Sequence, residues 1–127
     1  MFQIDNMSRK PVYEQIVDQL EQLVITDVLP AGSKVPSVRS LSIELSINPN
    51  TIQKSYSELD RRGIIYSVPG RGCFVSDNAK EILSSMKRKK ITDLELLMRE
   101  LALAGVKRQE MEDCINRVFD NKEEAEQ

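Results

Sequence analysis

Side chains that both donate and accept hydrogen bonds crowd one short stretch of this chain: Asn48, Asn50, Thr51 and Gln53, followed directly by Lys54. Amides and hydroxyls of this kind suit base edges, and an ammonium suits phosphate. Two arginines stand at equally telling places. Arg39 follows Pro36-Ser37-Val38, and Arg71 lies between Gly70 and Gly72, whose small size leaves a cation free to enter a minor groove or touch phosphate. Enzymatic chemistry has far less to work with. The chain contains no histidine, which removes the usual base for a nucleophilic cysteine and the commonest transition-metal ligand. There is no paired-carboxylate motif, Walker loop or dinucleotide fingerprint, so no catalytic site, metal or cofactor is expected. Cys73 and Cys114 have no C-x-x-C spacing, and each reads as a buried structural thiol.

The elements that must carry these residues are marked by their punctuation. Pro36 restricts Val35 to extended backbone, and Ser37 offers a cap to a helix with Val38, Leu41 and Leu45 on one face, running to about Ser46. Asn48 is a favoured N-cap, Pro49 suits the first turn, and Ile52, Tyr56 and Leu59 predict a second helix over 49–62 that stops near Gly63. Only Ile47 and Asn48 separate the two, the spacing of a helix-turn-helix. Ile64–Val68 and Cys73–Val75 flank Pro69-Gly70-Arg71-Gly72 as a β-hairpin wing over 64–76. Upstream, Pro11 opens a scaffold helix bearing Val12, Ile16, Leu20, Leu23 and Val24, in which Tyr13 and Gln15 read as packing and surface. Residues 1–9 form an arm that could add a strand or contact a partner. A polar helix face beside an apolar stripe is often mere solvated surface. The attached wing tips the reading toward nucleic-acid recognition.

The ordered set Pro11-Val-Tyr-Glu-Gln-Ile16, Gly32, Val35-Pro-Ser-Val-Arg39, Ile47-Asn-Pro-Asn-Thr51, Tyr56-Ser-Glu-Leu59, Gly63 and Gly70-Arg-Gly-Cys-Phe-Val75 resembles the DNA-binding domain of GntR-family bacterial transcription regulators. The resemblance implies DNA contacts by Arg39, by Asn48, Asn50, Thr51, Gln53 and Lys54 on the recognition helix, and by Gly70 and Arg71 at the wing tip. Three positions depart from the common pattern: Val35 replaces Leu, Ser42 replaces Ala, and Val68-Pro69 stands where a basic residue often precedes the wing glycine.

Composition sets the remaining bounds. The chain has 127 residues, 40% hydrophobic and 30% charged, with 18 basic and 20 acidic residues for a net charge of −2. Many nucleic-acid binders are strongly basic. Between Lys34 and Gly72, however, Lys34, Arg39, Lys54, Arg61, Arg62 and Arg71 outnumber Glu44, Glu58 and Asp60, which makes the segment locally basic. No transmembrane run or signal-peptide layout appears, so a cytoplasmic protein without membrane contact is expected.

After Ser76-Asp77-Asn78, a run without proline or glycine extends from Ala79 to Ala104, with Ile91, Leu94, Leu97, Leu101 and Ala104 on one stripe. The basic run 87–90 reads as a solvated stretch or a helix break before Thr92, with a phosphate patch as the alternative. Gly105 marks a stop, and 107–121 carries Met111, Cys114, Ile115, Val118 and Phe119 on a second stripe; 120–127 reads as a frayed end. An isolated helix pair leaves both stripes wet. The expected fold is therefore mostly α with a small β-hairpin wing: a winged helix-turn-helix over 1–78 and an antiparallel helix pair over 79–127. That pair would dimerise through Leu94, Leu97, Leu101, Ile115, Val118 and Phe119. Its shortness resembles the YtrA subfamily, which implies a homodimeric repressor on a palindromic operator. It also implies that the family's larger effector domains are absent, which leaves only a small cavity at the dimer interface for a small molecule. The alternative is a protein-interaction module, with Arg39 and Arg71 engaged in surface ion pairs.

Overall fold

The computed structural model describes residues 2–126, with side chains through Asp120. Its elements run α1 (Val12–Ile25), α2 (Val38–Leu45), α3 (Pro49–Arg61), β1 (Ile65–Val68), β2 (Gly72–Val75), α4 (Ala79–Arg88), α5 (Ile91–Leu103) and α6 (Arg108–Glu126). Two compact units divide them, residues 1–86 and 87–127.

In the first unit α3 packs against both α1 and α2. The stripes meet in one core: Ile16, Leu20 and Val24 from α1, Leu41 from α2, Ile52, Tyr56 and Leu59 from α3, with Ile64, Ile65 and Val75 beneath the wing. Helices α2 and α3 start where their caps dictate. Ser37 Oγ accepts from the Ser40 amide at 3.0 Å, and Asn48 Oδ1 accepts from the Asn50 amide at 2.8 Å. Ser46, in the left-handed region at φ 54°, ends α2 and turns the chain into α3. The strands pair antiparallel with Tyr66 opposite Phe74 and Val68 opposite Gly72. A third segment joins the ribbon, because Gly32 and Val35 donate to the Val75 and Cys73 carbonyls at 2.8 and 2.9 Å.

Two expectations are corrected here. Ala79 and Leu83 of α4 are buried in the core of the first unit, and a Cβ on Gly63 would come within 3.3 Å of Ile82, so the break expected after Asn78 falls eight residues later, at Met86. The arm 1–9 adds no strand among its described residues. Phe2 is buried instead, and Gln15 anchors the backbone by accepting from the Asp5 amide and donating to the Asp5 and Lys10 carbonyls, each at 2.9 Å.

In the second unit α5 and α6 are joined by a turn in which Gly105 takes φ 97°. The basic run is the helix break: α4 ends at Arg88 and α5 begins at Ile91. Helix α6 continues through Glu126, past the expected end near Asn121, and the end of the region expected to fray, Gln127, lies outside the described residues. No described side chain from Lys87 to Asp120 is fully buried. Leu94, Leu97, Leu101, Ile115, Val118 and Phe119 are all exposed, and so are Ile91, Leu96 and Leu103, which the stripe reading did not single out for pairing. Cys114 is likewise exposed rather than buried, and Cys73 is half-buried, 3.4 Å from Ser67 Oγ. Among the described residues no helix is long and apolar enough to cross a membrane.

Candidate nucleic-acid interface

Helix α3 is anchored on one side and open on the other. Ile52, Ser55, Tyr56 and Leu59 are buried, while Asn50, Gln53 and Lys54 are exposed and Thr51 is half-buried. Two hydrogen bonds from the buried side fix where the open side points. Ser55 Oγ donates to the Tyr13 carbonyl of α1 at 2.8 Å, and the Tyr56 hydroxyl donates to the Pro36 carbonyl at 2.6 Å. Burial pushes the Tyr56 hydroxyl well above its ordinary range, so it remains a donor at every physiological pH. Its acceptor lies just ahead of the turn of α2 that carries Arg39. The wing hangs on the same segment, since Val35 bonds to Cys73. Residues 34–36 thus tie α3, the Arg39 turn and the wing to one strip of backbone.

The polar side chains are not equally free. Asn48 uses its carbonyl oxygen as the cap of α3, which leaves its amide hydrogens for other partners. Gln53 donates to Ser57 Oγ at 3.3 Å. Lys54 lies over the face of Tyr13, its ammonium 3.9 Å from the ring centroid. At the wing, Gly70 and Gly72 adopt φ 77° and 110°, a conformation that side-chain-bearing residues rarely hold, and Arg71 projects from the turn they make. Tyr66 and Phe74 stack at 5.8 Å on one face of the ribbon.

The charges divide into two groups. Arg39, Lys54 and Arg71 form no ion pair among the described residues, and neither does Lys34. Lys34 adds to the locally basic segment but belongs to no sequence motif. Its stem lies across Gly72, where an added Cβ would come within 3.1 Å of Lys34 Cε, so the glycine makes room for a second cation beside Arg71. Only the pairing of residue 34 with Phe74 reveals this, and no short spacing encodes it. Arg61 and Arg62, by contrast, are neutralised internally. Both bond to Glu58 at 2.9 Å, and Arg62 also reaches Glu21, which is only 3% exposed, at 3.1 Å. Their hydrogen bonds hold the Glu58 carboxyl far below its ordinary range, at about 2. Glu58, Arg61 and Arg62 line a cleft of about 440 Å³ between α1 and α3 together with Tyr13, Glu14, Asp18 and Lys54.

A capped polar helix, a turn-borne arginine and a cationic ribbon on one rigid frame define a winged helix-turn-helix of the type used by regulators. The chain belongs to the GntR family of bacterial regulatory proteins, whose family model matches residues 12–75, and this membership makes it a regulatory protein rather than an enzyme. It is 40% identical over 119 residues to the HTH-type transcriptional repressor YtrA of Bacillus subtilis (strain 168), covering 93% of this chain and 92% of that one. Among solved structures it is similar to a transcriptional regulator from Oenococcus oeni, with 34% identity, a TM-score of 0.74, and 91% and 97% of the two chains covered. The DNA-binding domain of AraR in complex with operator ORX1 is similar over 60% of this chain and 93% of its own, at 27% identity and TM-score 0.53.

Proposed function

We propose that the protein binds a palindromic DNA operator as a homodimer and represses the genes behind it. Arg39 and the head of α3, through Asn48, Asn50, Thr51, Gln53 and Lys54, read the major groove, and Gly70 and Arg71, with Lys34 beside them, meet the backbone or minor groove. The observation that carries the reading is the open face of α3. Its polar side chains are held outward by a buried frame, and the cations Lys34, Arg39, Lys54 and Arg71 form no ion pair among the described residues. Support for the finer points comes from two directions. Repression fits the YtrA relative, a transcriptional repressor, and operator binding fits the AraR complex.

Pairing of two chains through α5 and α6 follows from physical need. A helix pair with no fully buried side chain among its described residues has too little core to hold its shape. A second copy laid on the stripe of Leu94, Leu97, Leu101, Ile115, Val118 and Phe119 supplies that core, and each such residue, once buried, contributes about 1.5–3 kcal/mol. Two-fold symmetry then matches two half-sites about 10 base pairs apart, or a multiple of that. The test is selection of bound duplexes from a random pool by the purified full-length protein at physiological salt, followed by sequencing. An inverted repeat is the expected result. Recovery of unselected sequence would leave a protein-interaction module as the better description.

A further inference from the structure

We infer that Tyr13 is a positioning residue of the DNA interface, whose ring holds the Lys54 ammonium in place before DNA arrives. The inference rests on the reading above, in which Lys54 meets a phosphate. Its basis is a contact between the scaffold helix and the recognition helix. Tyr13 lies in the first turn of α1, and its carbonyl accepts the hydroxyl of fully buried Ser55, the neighbour of Lys54. The two helices are therefore latched at this point. The Tyr13 hydroxyl donates to Glu14 at 3.2 Å at the ring's edge, and Lys54 Nζ sits over the face of the ring at 3.9 Å, a contact that needs the ring and not the hydroxyl.

The choice of partner matters for function. A carboxylate would hold Lys54 equally well but would cancel the charge that a phosphate needs. An aromatic face attracts the cation through its quadrupole and leaves the charge intact. It also covers only one side of the ammonium, so N–H groups on the other side remain free to donate. Glu14 and Glu58 line the same cleft, yet neither pairs with Lys54; Glu58 is committed to Arg61 and Arg62. A lysine already held in this way loses less rotamer freedom on meeting DNA than one that samples solvent freely.

Affinity for a duplex selected by the wild-type protein, measured across a salt series with the full chain, tests this. Lys54→Gln should weaken binding and lower the salt slope of log affinity by about one. Tyr13→Leu should weaken binding about two- to fivefold while leaving the slope unchanged, since the phosphate contact still forms. Tyr13→Phe, which keeps the ring, should bind like wild type, and Tyr13→Leu should have no effect in a Lys54→Gln background. A loss that persists in that background, tighter binding by Tyr13→Leu, or failure of Tyr13→Phe would overturn the inference. If Lys54→Gln changed neither affinity nor slope, the phosphate role of Lys54 would itself be wrong, and the inference would fall with it. An independent reading on the unmutated protein is the NMR shift of the Lys54 ε-methylene. Ring-current displacement is expected, and an ordinary lysine shift would contradict the contact whether or not the variants fold.

Discussion

Asn48 and Asn50 stand two residues apart at the head of α3 and do different work. The Asn48 carbonyl caps the helix, and the Asn50 side chain makes no bond within the chain among the described residues. Asn48→Ala should therefore cost about 0.5–2 kcal/mol of stability as well as weaken DNA binding. Asn50→Ala and Arg39→Ala should leave the melting temperature close to wild type and lower operator affinity roughly tenfold or more, because a bidentate base contact discriminates by about 1–3 kcal/mol. Thermal melts beside binding isotherms separate the two classes; wild-type affinity in both Asn50→Ala and Arg39→Ala would refute the recognition assignment. Arg71→Ala should flatten the salt slope with little change in base preference. At this scale the sequence was most legible where a residue acts on its own neighbours. The Asn48 cap, Pro49 and the wing glycines are of that kind. The roles of Tyr13 and Lys34 depend on partners far along the chain, Lys54 and Gly72, and no local pattern announces them.

Helix α4 shows where patterning misleads about the elements. Ile82, Leu83 and Met86 continue the apolar succession toward Leu94, yet Leu83 is fully buried against the winged helix. Periodicity reveals that a face is apolar but not which neighbour covers it. The helix break within the basic run, at residues 89–90, was legible, because four successive cations have no apolar face to bury. A chain ending at Asn78 should consequently be destabilised, while one ending at Met86 should keep a cooperative melt. Leu83→Ala should cost about 2–5 kcal/mol.

The α1–α3 joint adds a pH dependence. The Glu58 carboxyl is held down to about 2 from an ordinary 4.5 by its bonds to Arg61 and Arg62. A depressed carboxylate contributes stability above its unfolded value and loses it as pH falls through the folded one. The melting temperature should thus fall between about pH 4.5 and 2, and less steeply in Glu58→Gln. Equal slopes in the two proteins would show that the joint does not depend on this charge.

Across the whole molecule, a net charge of −2 conceals an uneven distribution. Lys34, Arg39, Lys54 and Arg71 of the first unit form no ion pair among the described residues, while α5 and α6 expose leucines and Phe119 that need a covering surface. The stripes were legible from spacing alone. Their exposure in a single chain was legible too, because two short helices cannot cover both stripes between them; spacing does not say what surface covers them. Leu97→Lys with Leu101→Lys would place charge in the proposed interface and should yield monomers with an intact winged helix. The most direct test is sedimentation of the full-length protein on the selected duplex, with the complete palindrome compared against an isolated half-site. Two chains should bind each palindrome, with affinity for the half-site lower by orders of magnitude, since linked sites gain from effective concentration. One chain per palindrome, or equal affinity for palindrome and half-site, would contradict a dimeric operator-binding regulator.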